Sequence, residues 1–417
     1  MKNISYAFIF ILSIFTINIA HSAPRVKTGI EVLQKRNFDV LKGKRIGLIT
    51  NPTGVDHYLK STIDILFESK VCKLTALYGP EHGVRGDFSA GAEVETYIDS
   101  KTNLPVYSLY GKTRKPTKEM LNDIDILVYD IQDIGCRSYT FISTLGLALE
   151  AAAENNIPFV ILDRPNPLGG RKIEGNLVED GYISFVSQFK IPYVYGLTAG
   201  ELGKMLNEEG MLKNKIKCDL TVIPMRGWKR SMNFSQTGLP WVPTSPHIPY
   251  KETPEYYVAT GMMGELEYFS EGVGYTIPFE TFAAEWIDGE ILAQRMNALN
   301  IKGVIFRPIT FVPYYGKSKD KTLHGVQLYI TNPPKVNLMS LQFLLMEINN
   351  VLYPAKNPFL GDSTRFKMFD LVCGTSKIRE LFSKNLKYQD IDSYLNKDIN
   401  EFRKLSSKYY MYNRKRN

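Results

Sequence analysis

The sequence lacks the short motifs by which several large enzyme classes are recognised. No Gly-x-Gly-x-x-Gly follows the first predicted strand, where Thr50-Asn51-Pro52-Thr53-Gly54 stands instead. Neither a Gly-x-Ser-x-Gly elbow nor a phosphate-binding P-loop occurs anywhere in the chain. These absences disfavour dinucleotide-dependent enzymes, phosphoryl transferases and the usual serine hydrolases.

Cysteine and histidine are also scarce, with four and five residues that are scattered and form no Cys-x-x-Cys or other metal-ligand spacing. We therefore predict neither a metal site nor a cofactor. Cys72 precedes one predicted parallel strand and Cys136 follows another, so they would lie roughly 20 Å apart. A disulfide needs Cα atoms within about 7 Å, which excludes that pair. A bond between Cys218 and Cys373 is left open.

Only one long apolar run is present, and it lies at the N-terminus. Lys2 is followed by an apolar stretch from Tyr6 to Ile19 and then by Ala20-His21-Ser22. This pattern predicts a secretory signal peptide over 1–22 and a periplasmic protein, with an uncleaved anchor as the alternative. No cysteine stands near the cleavage point to carry a lipid, and no later stretch is apolar enough to span a bilayer.

The 417 residues carry a mild net charge of +8, and export argues against nucleic acid as a partner. The basic segment from Lys404 to Arg416 is predicted to be a solvated, frayed terminus, with attraction to an anionic envelope polymer as the alternative. Nothing in the sequence indicates an oligomeric state. The length predicts two domains after the signal peptide.

Continuous apolar runs alternate with helical patterns in the first half of the chain. The runs that we predict as strands are 45–50, 73–78, 104–109, 124–129, 158–162 and 220–224. Such alternation is typical of a parallel sheet covered on both faces. We predict an α/β, Rossmann-like doubly wound domain over 25–225 and a smaller α+β domain over 226–417.

Polar and charged side chains gather where these strands end. Because ligands bind outside the carboxyl ends of the strands of an open parallel sheet, the connections that follow predict a binding site. The candidates they supply are Asn51; Glu81, His82 and Arg85; Gln132, Asp133, Arg137 and Tyr139; and Asp163, Arg164 and Asn166. The opposite strand ends carry a plainer set of residues.

Carboxyl groups beside arginines and amides are typical of sugar chemistry, where a partly desolvated carboxylic acid protonates a glycosidic oxygen. Glu81 is the candidate acid, and His82 is a second catalytic candidate that could instead only pack. An aspartate at a strand end, such as Asp163, commonly just caps a turn. The arginines could pair with the neighbouring acids.

Several longer motifs resemble the exo-β-N-acetylmuramidase family, the NamZ-like glycoside hydrolases. They are Asn51-Pro52-Thr53-Gly54, Gly79-Pro80-Glu81-His82-Gly83, Asp130-Ile131-Gln132-Asp133, Arg137-Ser138-Tyr139-Thr140, Asp163-Arg164-Pro165-Asn166-Pro167, Trp241-Val242-Pro243 and Ser270-Glu271-Gly272. The resemblance runs in order over residues 28–380.

The resemblance implies a cleft between two domains and removal of β-1,4-linked N-acetylmuramic acid from the non-reducing end of peptidoglycan fragments. It also implies that Glu81 is the catalytic residue and adds Glu271 to the substrate-binding candidates. The lactyl carboxylate of that sugar could be bound by an arginine through two parallel hydrogen bonds. Arg85, Arg137 and Arg164 are the candidates.

One loop departs from the family pattern. Where the family commonly reads Ser-Glu-Gly-Arg-Gly-Thr, this chain has Val273 in place of the arginine. A non-catalytic protein that binds muropeptides therefore stays an alternative. An esterase or amidase acting on peptide stems is a third, although no nucleophile and base pair is visible. The second catalytic group and the stereochemical outcome are left open.

Overall fold

A computed structural model of the chain describes residues 25–86, 96–360 and 363–412. The predicted signal peptide lies outside the described residues. The first domain is built on a seven-stranded sheet in the order β3-β4-β2-β1-β5-β6-β7. Its strands are β1 Arg45–Thr50, β2 Lys73–Gly79, β3 Tyr97–Ile98, β4 Pro105–Ser108, β5 Ile126–Asp130, β6 Phe159–Leu162 and β7 Leu220–Ile223.

The predicted parallel sheet is confirmed, because every neighbouring pair is parallel except the short β3, which runs antiparallel outside β4. The chain winds outward from β1 to β2 and β4, and then returns to β5, β6 and β7. This is the Rossmann order, with its switch point between β1 and β5. The carboxyl ends of β2, β1 and β5 are therefore neighbours.

Helices cover both faces of this sheet. They are α1 Gly29–Lys35, α2 Thr62–Phe67, α3 Phe141–Glu154 and α4 Ala199–Glu208. The small face of α3 lets it approach closely: Ala148, Ala151 and Ala152 are fully buried. Thr198 and Glu201 form the reciprocal capping box that starts α4.

The second domain combines a small antiparallel sheet with helices. The strands β8 Thr281–Ala284, β9 Val304–Phe311 and β10 Leu323–Ile330 pair in the order β8-β10-β9. The helices are α5 Thr253–Gly264, α6 Gly289–Ala298, α7 Leu338–Leu352, α8 Phe366–Cys373, α9 Lys377–Asn385, α10 Gln389–Asn396 and α11 Ile399–Ser406. Both fold predictions, the doubly wound sheet and the smaller α+β domain, are confirmed.

One hydrophobic core runs through the junction of the two domains. Ile134, Cys136 and Tyr193 of the first domain lie in the same buried cluster as Val258 of α5 and Leu341 of α7. Because apolar area is removed from water on both sides of this junction, the domains stabilise each other. The site described below is thus held by a packed interface.

The predicted boundary at residue 226 is not where the packing changes. Segment 226–238 lies on the first domain, where the backbone of Val26 donates to the carbonyl of Thr237 and that of Lys27 donates to Arg226, both at 2.9 Å. The change falls near Thr253, the first residue of α5.

The prediction of a frayed C-terminus is wrong for the residues up to 412. Tyr412 is buried and its hydroxyl donates to the carboxylate of Asp163, while the Tyr410 ring lies 3.4 Å from the guanidinium carbon of Arg230. The aromatic residues of this segment outweigh its charge, because they find a partly apolar surface on the first domain. Residues 413–417 lie outside the described part.

All four cysteines are buried free thiols, so the Cys218–Cys373 bond that the sequence left open is not formed. In the described ranges no helix is both long enough and apolar enough to cross a membrane.

Candidate active site

Glu81 lies in a tight loop at the carboxyl end of β2. The loop folds back on itself, with the Gly83 N–H donating to the Pro80 carbonyl at 3.1 Å. A Cβ at Gly79 would come within 3.1 Å of the Gly83 backbone, so this close approach favours glycine. His82 takes the left-handed backbone conformation, with φ 74°, which is uncommon and strained for a non-glycine residue.

Two tyrosines surround the half-buried Glu81 side chain. The hydroxyl of Tyr110, just after β4, is hydrogen-bonded to Glu81. Burial raises the pKa of Tyr110 to about 12, and the charge of Glu81 and this hydrogen bond act in the same direction. The phenol is therefore a stable donor that fixes the orientation of the carboxylate.

Tyr139 approaches Glu81 from the start of α3. Its hydroxyl is 2.7 Å from the Thr244 hydroxyl, and its ring packs edge-on against Phe141 and Tyr257. Burial raises the pKa of Tyr139, and the charges of Asp133 and Glu81 add to the increase. Tyr139 is thus a neutral hydroxyl on which the charges of two carboxyl groups act.

Asp133, whose charge acts on Tyr139, is almost wholly buried, with 7% of its surface exposed. Its Oδ2 accepts hydrogen bonds from the Gly135 N–H at 2.7 Å and from the Tyr195 hydroxyl. No described residue bonds to Oδ1. Burial raises the pKa of Asp133 to about 6, which places its titration near neutral pH.

A histidine and a tyrosine meet at the rim of this cleft. The His247 Nε2 lies 2.8 Å from the hydroxyl of Tyr315, and the two rings are stacked. Burial, and then the charge of His82, lower the pKa of His247. The bond links a loop of the first domain to the loop that follows β9, and so joins the two sides of the cleft next to His82.

The loop that departs from the family pattern supports this rim. A Cβ at Gly274 would come within 2.4 Å of the Tyr315 carbonyl, and the Tyr314 N–H donates to the Gly274 carbonyl at 2.9 Å. Val273 is half-buried and packs against the core of the second domain. Val273 is therefore packed on the second domain, next to the glycine that contacts Tyr314 and Tyr315.

Asn51, Gln132 and Arg164 lie together at a small recess beside the switch point. The Asn51 Oδ1 accepts from the backbone and hydroxyl of Thr53, and Gln132 donates to the carbonyls of Asp133 and Pro165. Thr53, Gln132 and Arg164 line a cavity of about 20 Å³. These residues fix the loops that carry the site.

Arg164 is engaged in a buried ion pair. It donates to both oxygens of Asp130, at 2.5 and 3.0 Å, and to the Val55 carbonyl at 2.8 Å. Arg85 is paired as well, with Asp99 at 2.5 Å on the β3 side of the sheet. Neither guanidinium is open to bind a substrate carboxylate.

Arg137 does not reach the cleft. It is fully buried and donates to four backbone carbonyls, those of Asn176, Ile191, Val372 and Cys373, at 2.8–3.0 Å. The last two carbonyls end helix α8, where a cation is favourable. The placement argues against substrate binding and indicates a structural role between the domains.

Asp163 and Asn166 also have structural contacts. Asp163 is fully buried and accepts from the Thr198 hydroxyl at 2.7 Å and from the Gly200 N–H at 2.8 Å. Asn166 bonds to the backbone of Leu168 and Leu197. Both hold the connection between β6 and α4, which agrees with the turn-capping alternative considered for Asp163.

Glu271 lies on the second domain, where it packs against Gly264 at the end of α5. Burial raises the pKa of Glu271 to about 7, and Glu265 and Glu267 add to the increase.

Sequence reasoning missed Tyr110, Thr244, His247 and Tyr315. Tyr110 could have been found, because it follows the predicted strand 104–109 at the same sheet edge as Glu81. His247 and Tyr315 stand in irregular loops, and their meeting depends on how the two domains pack.

The Rossmann-like sheet carries a carboxyl group and tyrosines at its strand ends, beside a second domain, and this arrangement suits a two-domain glycoside hydrolase. Family models described as the N-terminal and C-terminal domains of exo-beta-N-acetylmuramidase NamZ match residues 46–252 and 255–412. The chain belongs to this family.

The chain is 46% identical over 389 residues to the peptidoglycan beta-N-acetylmuramidase NamZ of Bacillus subtilis, covering 93% of this chain and 92% of that protein. It is also similar to the crystal structure of a DUF1343 family protein from Bacteroides fragilis, with 59% identity, a TM-score of 0.90 and coverage of 93% and 99% of the two chains. A second such structure from that organism has 29% identity and a TM-score of 0.76, with the same coverage.

Proposed function

We propose that the protein releases N-acetylmuramic acid from the non-reducing end of peptidoglycan fragments, and that the reaction takes place at Glu81. The observation that carries this proposal is the position of Glu81, at the carboxyl end of β2 and hydrogen-bonded to Tyr110. Membership of the exo-β-N-acetylmuramidase family supports the reaction class. The apolar stretch Tyr6–Ile19 supports export, and we propose a periplasmic location.

Glu81 is assigned the role of general acid. Its proton would go to the glycosidic oxygen as the bond to the sugar breaks, so that the leaving sugar departs as a neutral alcohol. The Tyr110 hydroxyl would stabilise the resulting carboxylate, since hydrogen bonds to a charged acceptor are the stronger ones. This pairing holds the carboxyl group in one orientation throughout.

Asp133 is our candidate for the second carboxyl group. It lies near Tyr139, it is almost fully buried, and its pKa of about 6 places its titration near neutral pH. Through Tyr139 it would position the sugar or the attacking water. Its Oδ1, which has no bonding partner in the described part, is the atom that we expect to be engaged during turnover.

Arg114 is our candidate for recognition of the lactyl carboxylate. It is exposed, its guanidinium carbon lies 4.5 Å from the centre of the Phe185 ring, and its charge acts on Tyr110. No described carboxylate forms an ion pair with it. We therefore assign the lactyl carboxylate to Arg114. The candidates from the sequence, Arg85, Arg137 and Arg164, have guanidinium groups that bind other parts of the protein.

Hydrolysis of a chromogenic N-acetylmuramide by the wild-type chain and by Glu81→Gln tests the proposal. Removing the acid should lower kcat by at least about 100-fold, the usual contribution of such a group. Glutamine keeps the size of the side chain and a hydrogen bond to Tyr110, so the circular dichroism spectrum and Tm should change little. A near wild-type kcat in a folded Glu81→Gln variant would refute the role.

Binding without turnover by the wild-type chain would instead favour the alternative, a non-catalytic protein that binds muropeptides. The altered loop around Val273 is the feature that keeps this alternative open. Calorimetry with the same substrate separates the two functions, because it reports binding whether or not the glycosidic bond is cleaved.

A further inference from the structure

A second cavity lies between the two domains, built by residues other than those around Glu81. It has a volume of about 490 Å³. Its first-domain side is formed by residues within 168–174 and 230–233, and its second-domain side by Glu255, 333–337 and Arg403. None of its lining residues belongs to the cluster of Glu81, Tyr110, Asp133 and Tyr139.

Glu255 is the unusual group in this cavity. It stands in the first turn of α5, only 8% of its surface is exposed, and it lines the cavity. In the described ranges its carboxyl group takes part in no hydrogen bond and no ion pair. Burial raises the pKa of Glu255 to about 8, and the neighbouring Glu252 adds to the increase. A buried carboxyl group without a partner is costly unless something else binds it.

The mouth of the cavity is positively charged. Arg171 and Lys335 are exposed, and within the described part of the chain their side chains make no ion pair or hydrogen bond. Lys172 lies further inside and donates to Glu174 at 2.9 Å and to the Val336 carbonyl at 2.6 Å. Two free cations at the entrance favour a ligand that carries a carboxylate.

The remaining lining is partly apolar, with Leu168, Ile173 and Pro333 among its members. A ligand that fits must therefore present a carboxylate to the entrance, an N–H or carbonyl group to Glu255, and apolar groups to the walls. A short peptide combines these three features. A neutral sugar lacks the carboxylate, and a phosphate ion lacks the apolar part. N-acetylmuramic acid has both, so it serves as a competitor in the test below.

We propose that this cavity is a binding site for a short peptide with a free carboxylate, distinct from the site around Glu81. The carboxylate binds Arg171 and Lys335 at the entrance, and Glu255 exchanges a hydrogen bond with the peptide backbone inside. Since the cavity is lined by both domains, occupancy stabilises their packing. The proposal does not depend on the reaction at Glu81.

Calorimetry and thermal unfolding of the mature chain with the dipeptide alanyl-glutamate, at fixed ionic strength, test the proposal. We expect saturable binding of one dipeptide per chain and a Tm that rises with its concentration, because a ligand that binds only the folded state stabilises it. The same binding in Glu81→Gln, without competition from N-acetylmuramic acid, would place the dipeptide outside the catalytic cleft.

Reversing the two entrance charges, as Arg171→Glu with Lys335→Glu, should weaken the dipeptide at least tenfold. The matched control is Lys42→Glu with Lys384→Glu, which makes the same change of charge at exposed lysines outside the cavity. Glu255→Leu should weaken binding too, while Glu255→Gln, which can still hydrogen-bond, should retain most of it.

Three results would overturn the proposal. They are the absence of saturable binding, an equal loss in the control variant, and equal binding of a fully amidated dipeptide that has no carboxylate. Inorganic phosphate that binds as tightly as the dipeptide would also overturn it, because the site would then recognise charge alone.

Discussion

Replacing Arg137 by methionine should destabilise the protein strongly, and the structure allows the size of the effect to be worked out. The side chain supplies hydrogen bonds to four buried carbonyls. A buried acceptor left without a donor costs about 2 kcal/mol, so the four together cost about 8 kcal/mol. Removing the charge offsets part of this loss.

The offset follows from the burial of the guanidinium. Burial lowers the pKa of Arg137 from 12.5 to about 10, which corresponds to an unfavourable contribution of about 3 kcal/mol. We therefore expect Arg137→Met to lower the free energy of unfolding by on the order of 5 kcal/mol, a large part of the stability of an ordinary protein. Methionine fills the volume, so a cavity adds little.

Urea denaturation followed by tryptophan fluorescence measures this loss. Arg36→Met is the matched control, because Arg36 forms an exposed ion pair with Asp39 whose removal should cost less than about 1 kcal/mol. A folded Arg137→Met variant with near wild-type stability and a raised KM only for muramic substrates would refute the structural role. It would restore the prediction that this arginine binds the lactyl carboxylate.

Three further predictions concern single side chains. Arg114→Ala should raise KM for N-acetylmuramides several-fold and leave the KM of an N-acetylglucosamine analogue unchanged. If steady-state assays show the same increase in KM for both substrates, Arg114 does not bind the lactyl carboxylate. His82→Gly should preserve the left-handed backbone of the loop, whereas His82→Ala should strain it by about 1 kcal/mol. A higher Tm for His82→Ala than for His82→Gly would count against backbone strain at this position. In the folded state the pKa of Glu255 is raised from 4.5 to about 8. The contribution of Glu255 to the free energy of unfolding is therefore fully present below pH 4.5, and it is lost as the pH rises to about 8. The loss is on the order of 5 kcal/mol, and urea titrations at several pH values should show a flatter dependence of the free energy of unfolding on pH in Glu255→Gln.

The parallel strands of the first domain could be predicted from the pattern of apolar residues in the sequence. The parallel strands are continuous apolar runs, and each was placed within two or three residues because such a run can only be buried on both faces. Helix α5 was missed, since residues on most of its circumference are buried and Thr253–Gly264 shows no amphipathic pattern. Its stability comes from the packing of α5 against α7, which no local pattern reveals.

The site divides in the same way. The position of Glu81 at a strand end was predictable from topology alone, because carboxyl ends of parallel strands meet at one edge. The use of each arginine was not predictable. Arg137 and Arg164 stand in similar loops, yet one binds backbone carbonyls and the other binds Asp130. Which acceptor an arginine finds depends on distant segments such as the end of α8.

The central claim, that Glu81 protonates the glycosidic oxygen of an N-acetylmuramide, is tested most directly by a crystal structure of Glu81→Gln with an uncleaved N-acetylmuramide bound. Our account predicts that the glycosidic oxygen lies within about 3 Å of the side-chain amide at position 81, with Tyr110 on the same amide and the lactyl carboxylate toward Arg114. A sugar bound elsewhere, or with its glycosidic oxygen turned away from residue 81, would contradict the account.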